Sequence, residues 1–103
     1  MLKNFNVPFL NSTVVISAWE NDCLVGCVRV LSDRVVRSVI YDLAVAPAFQ
    51  NQGIGRELVR RCIEHFPDSE WLVGTTQEVS AYYEKMGFEV EQGVFLRLPS
   101  RWF

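Results

Sequence analysis

The segment QNQGIGR, residues 50 to 56, brings two glycines into a turn where an apolar run gives way to a helical pattern. A turn that leaves a strand and opens a helix presents unpaired backbone N–H groups at the positive end of the helix dipole, a common phosphate site. Gly53 and Gly55 would let phosphate oxygens approach the backbone without a Cβ in the way. Four side chains would add donors, namely Gln50, Asn51, Gln52 and Arg56. The alternative is that the glycines only permit a tight connection.

Two well-known phosphate motifs do not match this turn. A P-loop requires a Lys-Ser or Lys-Thr pair after its last glycine, where this chain has Arg56 and Glu57. A dinucleotide-binding fingerprint requires a third small residue where Leu58 stands, and it opens a βαβ unit. A phosphate bound here would therefore occupy a different kind of site.

The residues before the glycines have strand patterns. The β-rich runs 13 to 19 and 23 to 31 are separated by the turn-forming triplet END, which predicts a hairpin. The triplet SDR predicts a second turn, and residues 35 to 46 then predict a long third strand that ends at Pro47. Three antiparallel strands therefore precede the glycine turn.

The residues after the glycines predict an amphipathic helix over 54 to 66. Its apolar residues recur at intervals of three and four, and Pro67 ends it: Ile54, Leu58, Val59, Cys62, Ile63 and Phe66. Glu57 and Arg61 have the spacing of a stabilising ion pair on its exposed face.

The last third of the chain predicts a buried strand and a second helix. Residues 71 to 75 follow a crossover helix, so this strand should lie parallel to the third. Residues 76 to 87 predict the helix, and Thr75 with Glu78 has the spacing of a capping box. Residues 88 to 98 predict one interrupted strand or a hairpin. The order is βββαβα followed by one or two strands, an α+β fold with a mixed, mainly antiparallel sheet.

Composition narrows the class of protein further. A chain of 103 residues, half of them hydrophobic, suits one domain over residues 1 to 103. The net charge of −2 gives no electrostatic reason to expect nucleic acid or an anionic membrane as partner. No apolar stretch approaches the ~18 residues of a membrane span, so we expect a cytoplasmic protein.

The cysteines suggest neither disulfides nor a metal site. Cys23 and Cys27 would lie about 13 Å apart on one strand, too far for a disulfide. The single histidine, His65, lies in another segment, and no CxxC is present. We therefore expect three reduced, mostly buried cysteines and no bound metal.

Two motifs together resemble one family. The segment QNQGIG resembles the Q/R-x-x-G-x-G/A signature of the GCN5-related N-acetyltransferases, and LAV, residues 43 to 45, resembles the strand before it. The segment AYYEKMGFE, residues 81 to 89, resembles the second landmark, a helix that ends in an aromatic-Tyr-x-Lys-x-Gly-Phe pattern. The order of the motifs and of the elements extends the resemblance over residues 13 to 98.

The resemblance implies a role for each part of the site. In that family the signature turn binds the pyrophosphate of acetyl-CoA, here Gln50, Asn51, Gln52, Gly53, Ile54, Gly55 and Arg56. Backbone groups of the preceding strand pair with the pantetheine arm, here Leu43, Ala44 and Val45. The family separates this strand from the next, which opens a slot for the thioester. The second tyrosine of the pair, Tyr83, is implied as the acid that protonates the departing thiolate.

The chemistry explains why these residue types are useful. A neutral amine attacks the thioester carbonyl, and a fixed donor such as a backbone N–H near Val45 stabilises the oxyanion. Tyrosine, with an ordinary pKa near ~10, is protonated at neutral pH and can serve as acid. The alternative for Tyr82 and Tyr83 is that both are core aromatics, although adjacent helix positions diverge by about 100°. Asp42 could relay a proton from the amine through water, or be only a solvated strand residue.

Two features leave the acceptor side open. Family members usually carry a strand and helices before the first hairpin, where this chain has only residues 1 to 12. The acceptor groove would then be open, or completed by a second subunit, or the chain would be a shortened form of a longer protein. Trp102 and Phe103 are apolar at the very end of the chain, which together with the short N-terminal part leads us to expect a homodimer.

The sequence thus supports two classes of function. The first is an N-acetyltransferase that moves an acetyl group from acetyl-CoA to a primary amine of a small molecule or peptide, by direct attack with Tyr83 as general acid. The second is a non-catalytic acyl-CoA-binding module that has no productive acceptor site. A weaker third hypothesis is that the glycines are purely structural.

Overall fold

A computed structural model describes residues 7 to 100 of the protein. The described residues form one four-stranded sheet in the order β1-β2-β3-β4, with two main helices. The elements in chain order are α1 Val7–Leu10, β1 Val14–Glu20, β2 Cys23–Ser32, β3 Arg37–Val45, α2 Ile54–His65, β4 Glu70–Val73 and α3 Gln77–Glu84. A short 3-10 helix, Pro47–Phe49, joins β3 to the turn before α2.

The sheet has the topology that the sequence predicts. β1, β2 and β3 are antiparallel neighbours, and β4 pairs with β3 in parallel after the crossover through α2. The hairpin between β1 and β2 turns at Asn21, whose φ of 55° lies in the left-handed region. The mixed α+β fold is therefore confirmed, including the direction of β4.

The core lies between α2 and one face of the sheet. The predicted helical stripe contributes Leu58, Val59 and Cys62, which are buried against β2 and β3. Tyr83 of α3 joins the same cluster, whose other members are Val28, Val30 and Ile40. The opposite face of α2 carries the predicted Glu57–Arg61 ion pair at 3.0 Å, and Arg60 bridges Glu57 and Glu64.

The turn between β2 and β3 is held by one carboxylate. Asp33 Oδ1 accepts backbone N–H bonds from Val35, Val36 and Arg37 at 2.8, 2.7 and 3.1 Å. These bonds hold the pKa of the Asp33 carboxyl below its usual value. The turn predicted at the triplet SDR, residues 32 to 34, thus forms a defined loop that leads into β3.

Two local predictions are wrong. No strand forms over 88 to 98, and the sheet of the described residues ends at β4. Phe88 still packs against the core, but five apolar residues after it stay exposed: Val90, Val94, Phe95, Leu96 and Leu98. A strand pattern supplies propensity but not a partner strand. The capping box is also absent: Thr76 is the N-cap of α3 and makes no side-chain capping bond, while Thr75 donates to the Thr76 carbonyl.

The cysteines are free, as expected, but only one is buried. Cys62 lies in the core, where burial raises the pKa of its thiol to about 11, whereas Cys27 is half-buried and Cys23 is exposed. Trp102 and Phe103 lie outside the described residues. None of the helices in the described part of the chain is long and apolar enough to cross a bilayer.

Candidate active site

β3 and β4 separate at the end of the sheet that faces the glycine turn. Their parallel pairing runs from Arg37↔Glu70 to Ile40↔Val73 and then stops. β3 continues to Val45, and its register with β2 shifts directly after Ile40, so that Tyr41 has no partner on β2. A bulge of this kind bends its strand and interrupts its pairing. The edge of β3 over residues 41 to 45 therefore has no partner strand among the described residues, and we refer to this unpaired edge as the gap.

Backbone groups of β3 face this gap. The Ala46 N–H donates to the Val25 carbonyl at 2.8 Å. Backbone groups alternate in direction along an antiparallel pair, so those of Ala44 point towards β2, and those of Leu43 and Val45 point away from it. The Val45 carbonyl accepts a bond from Gln50 Nε2 at 2.9 Å. Leu43 and the Val45 N–H are left to the open edge, where no strand of the described chain pairs beyond Ile40.

The turn after β3 is shaped by its own side chains. Gln50 ties back to β3, and Gln52 Nε2 donates to the Ala48 carbonyl at 3.5 Å. Asn51 and Gly53 adopt left-handed conformations, with φ of 65° and 86°. Two of the four predicted side-chain donors thus hold the turn in shape here, and Asn51 is exposed.

The beginning of α2 is an uncapped, positive helix terminus. Gly53 is the N-cap and offers no side-chain bond, and the first intrahelical bond runs from the Glu57 N–H to the Gly53 carbonyl at 3.0 Å. The N–H groups of Ile54, Gly55 and Arg56 therefore have no acceptor within the helix. The Arg56 side chain is exposed and forms no ion pair with the described residues. The sequence-predicted turn can bind an anion with these groups.

α3 brings the tyrosine pair next to this terminus. Tyr83 is buried, and its ring packs edge-on against Phe88 and Tyr82, with centroids 5.6 and 5.2 Å apart. Burial raises the pKa of Tyr83, with a smaller contribution from Tyr82, so the phenol stays protonated at neutral pH. The Tyr83 hydroxyl forms no hydrogen bond with a described residue. Every fully buried polar side-chain atom of the described residues has a partner, so this hydroxyl is not fully buried and reaches the surface.

Asp42 lies on the sheet face opposite Leu43 and is held by an arginine. Arg29 Nε donates to Asp42 Oδ2 at 2.6 Å, and the guanidinium lies over the rings of Tyr41 and Phe9, 5.2 and 5.7 Å from their centroids. The Asp42 side chain is half exposed. A water-mediated relay through Asp42 would therefore use its other oxygen, Oδ1.

Two grooves lie along α2, and one of them, of about 390 Å³, adjoins the predicted site residues Gln52, Gly53 and Ile54. A groove of about 670 Å³ lies between α2 and β1, where Ile16 is surrounded by Arg60, Arg61, Glu64 and His65. It touches none of the predicted site residues, and its charged groups are largely paired with one another. Within residues 7 to 100 no group of His, Cys, Asp or Glu side chains is arranged to hold a metal ion.

The structure brings most of the predicted site residues together and places two further residues beside them, Tyr82 and Arg29. The end of β3, which contains Leu43 and Val45, leads through the turn 50 to 53 into the start of α2. Tyr82 was assigned no role, although its hydroxyl lies beside Gly55. Arg29 was also missed, since its partnership with Asp42 depends on strand register. The 100° divergence of adjacent tyrosines is the sequence signal that could have separated Tyr82 from the core.

Comparison with known proteins identifies related chains. The family model described as Acetyltransferase (GNAT) domain matches residues 11–90. The "Uncharacterized N-acetyltransferase ycf52" of Pyropia yezoensis is 30% identical over 94 residues, which cover 84% of this chain and 54% of that protein. The "Histone acetyltransferase TAP1" of Glycine max is 29% identical over 75 residues, covering 70% of this chain and 32% of that protein. The chain thus spans about half or less of the length of these curated relatives.

Solved structures share the fold. A GNAT family acetyltransferase from Streptococcus pneumoniae superimposes with a TM-score of 0.79 at 28% identity, over 87% of this chain and 73% of that one. A putative acetyltransferase from Deinococcus radiodurans gives 0.76 at 28% identity, over 84% and 62% of the two chains. Each likeness thus covers more than four fifths of this chain.

Proposed function

Because the chain belongs to the GCN5-related N-acetyltransferase family, we propose that it transfers an acetyl group from acetyl-CoA to a primary amine of a small molecule or peptide. The observation that supports this most is the gap beside β3, which ends at an uncapped helix terminus. Acyl-CoA consists of a long pantetheine arm joined to a charged pyrophosphate. The unpaired backbone of β3 can form hydrogen bonds with the arm, and the free N–H groups at the start of α2 can bind the pyrophosphate.

In this proposal the arm of the substrate lies along β3. The backbone N–H and carbonyl of Leu43 and the N–H of Val45 face the gap, whereas Ala44 between them keeps its bonds to β2. The pyrophosphate lies against Gly53, Ile54 and Gly55, and Asn51 and Arg56 provide exposed polar side chains beside it. Gln50 and Gln52 contribute by fixing the turn.

The reaction uses three protein groups. The Val45 N–H donates to the carbonyl oxygen as negative charge develops there when the neutral amine attacks. Tyr83 gives its phenolic proton to the sulfur as the C–S bond breaks, so CoA leaves as the thiol. The amine loses a proton to water as the amide forms, and Asp42 Oδ1 is the candidate acceptor of that proton. The products are the N-acetylated amine and CoA.

The second candidate function is a non-catalytic acyl-CoA-binding module. It would use the same acyl-CoA site and would differ from the enzyme in having no productive site for an acceptor amine. The single-domain organisation, the cytoplasmic location and the homodimer remain predictions for either function.

A thermal-shift titration with acetyl-CoA tests the site. Ligand at a hundredfold excess over its Kd adds ~2.7 kcal/mol of stability, which raises the Tm of a domain this size by roughly 10 °C or more. The matched variant is Arg56→Glu, because a glutamate in the first helical turn favours the helix yet repels the pyrophosphate. We expect its shift to fall sharply.

The control for this titration is Arg34→Glu, the same charge change in the turn between β2 and β3. It should leave the acetyl-CoA shift intact. Absence of any shift in the wild-type protein would overturn both functions, since each requires the acyl-CoA site.

A further inference from the structure

Tyr82 occupies the space that a side chain at position 55 would need. A Cβ built on Gly55 overlaps the Tyr82 hydroxyl, whereas it lies 3.5 Å from Tyr82 Cζ and 3.6 Å from Val45 Cγ2, both ordinary contacts. Of these three nearest atoms, only the phenolic oxygen would have to move to make room for a methyl group at position 55. Gly55 is buried and lies in the first turn of α2, where its backbone φ is not left-handed. The backbone conformation itself does not require glycine.

The hydroxyl of Tyr82 lies where three elements of the proposed site meet. It is beside Gly55 of α2 and close to Val45 at the end of β3, while its own helix, α3, carries Tyr83. Tyr82 is 40% exposed, and its hydroxyl bonds to no described residue. The edge-on packing of its ring against Tyr83 limits where it can point.

The electrostatic surroundings favour an anion near this hydroxyl. Partial burial raises the pKa of Tyr82, and the nearby Arg56 guanidinium acts in the opposite direction. The phenol therefore stays a hydrogen-bond donor at neutral pH. Arg56 and the uncapped N–H groups of α2 contribute positive potential on the same side.

We propose that the Tyr82 hydroxyl donates a hydrogen bond to the pyrophosphate of acetyl-CoA, and that residue 55 is glycine because this hydroxyl occupies the space beside it. The inference rests on the proposed function and assigns Tyr82 to binding, separate from the acid role of Tyr83. A hydroxyl bound to a charged phosphate oxygen makes a short, charge-assisted bond.

Substrate binding tests the first half of this proposal. Tyr82→Phe removes only the hydroxyl, so the Kd for acetyl-CoA should rise roughly tenfold. The Kd for S-acetylpantetheine, which lacks the pyrophosphate, should not change. A purely structural role would weaken both ligands alike.

The stability of the free protein tests the second half. Gly55→Ala should lower the Tm in the wild-type background because the methyl group displaces the hydroxyl. In the Tyr82→Phe background the same substitution meets only ordinary contacts and adds a better helix former, so the Tm should stay level or rise. Equal effects in the two backgrounds would overturn the contact.

The outcomes distinguish this inference from the function on which it rests. Wild-type protein that does not bind acetyl-CoA would overturn the proposed function and the inference together. Wild-type binding with an unchanged Kd in Tyr82→Phe would overturn the inference alone. A raised Kd for acetyl-CoA but not for S-acetylpantetheine, with coupling between positions 55 and 82, supports it.

Discussion

Tyr82 and Tyr83 are neighbours in the sequence but lie in different surroundings. Adjacent helix positions diverge by about 100°, and only Tyr83 points into the core, where its ring packs against Phe88. That packing holds the ring still while its hydroxyl reaches the surface. A rigid phenol of raised pKa is suited to deliver a proton to a thiolate, and the more exposed Tyr82 is suited to contact a phosphate.

Replacing the proposed acid should affect rate rather than binding. For Tyr83→Phe we expect kcat to fall by about 10²-fold or more, as loss of a general acid typically causes, with little change in the Kd for acetyl-CoA. Free-thiol release in the presence of an acceptor amine measures the rate. Because the pKa of Tyr83 is raised, the rate of the wild type should decline only at alkaline pH, when the phenol loses its proton.

The acid role also separates the two candidate functions. A binding module would release no thiol with any amine, whether Tyr83 is present or not. Undiminished kcat in Tyr83→Phe would remove the tyrosine from the mechanism while leaving the acyl-CoA site in place.

At the scale of elements, the gap results from a mismatch between neighbouring strands. β3 runs to Val45, but β4 ends at Val73, opposite Ile40, and the register of β3 with β2 shifts at Tyr41, directly after that point. Helix α2 begins beyond this free end and returns across the sheet, so its N–H groups and the free strand edge face the same space. The apolar stripe of α2 predicts how this helix packs on the sheet. The gap, in contrast, depends on how β3 pairs with its two neighbouring strands.

Amide hydrogen exchange measures this arrangement without any substitution. In the free protein the amides of Leu43 and Val45 should exchange quickly, while those of Asp42 and Ala44, which point towards β2, should be protected. Addition of acetyl-CoA should protect Val45 and Leu43 and leave the other two unchanged. Slow exchange at Val45 without ligand would show that the edge is already paired.

At the scale of the whole molecule, the sheet of the described residues leaves apolar chain uncovered after α3. Val94, Phe95, Leu96 and Leu98 are each at least 85% exposed, and none of the described residues forms a strand beyond β4. Exposure of four large apolar side chains so close together in sequence to water is unfavourable, and such exposure is unusual for a monomer. This agrees with the expected homodimer, in which a partner would cover the segment.

Light scattering tests the dimer. We expect the wild-type protein to have twice the mass of one chain at tens of micromolar, and the double substitution Phe95→Asp with Leu96→Lys to give a monomer, because charges oppose burial of the segment. Retained thermal stability of the variant would show that the fold itself is intact. A monomeric wild type at that concentration would contradict the dimer.

The sequence by itself determined the parts of this protein that depend on neighbours along the chain. Periodicity predicted the four strands of the sheet and the two main helices to within a few residues. The glycine turn and the tyrosine pair indicated the family, since such motifs are local in sequence. The parallel direction of β4 also followed, because a crossover helix leaves one common solution.

Only the tertiary structure decided what depends on contacts between distant residues. The pairing of Arg29 with Asp42 follows from strand register, and the place of Tyr82 over Gly55 follows from how α3 meets α2. The segment after α3 has the alternation of a strand but forms none, because a strand requires backbone partners that its own residues cannot supply. Local pattern sets propensity, and long-range packing determines which of those propensities is realised.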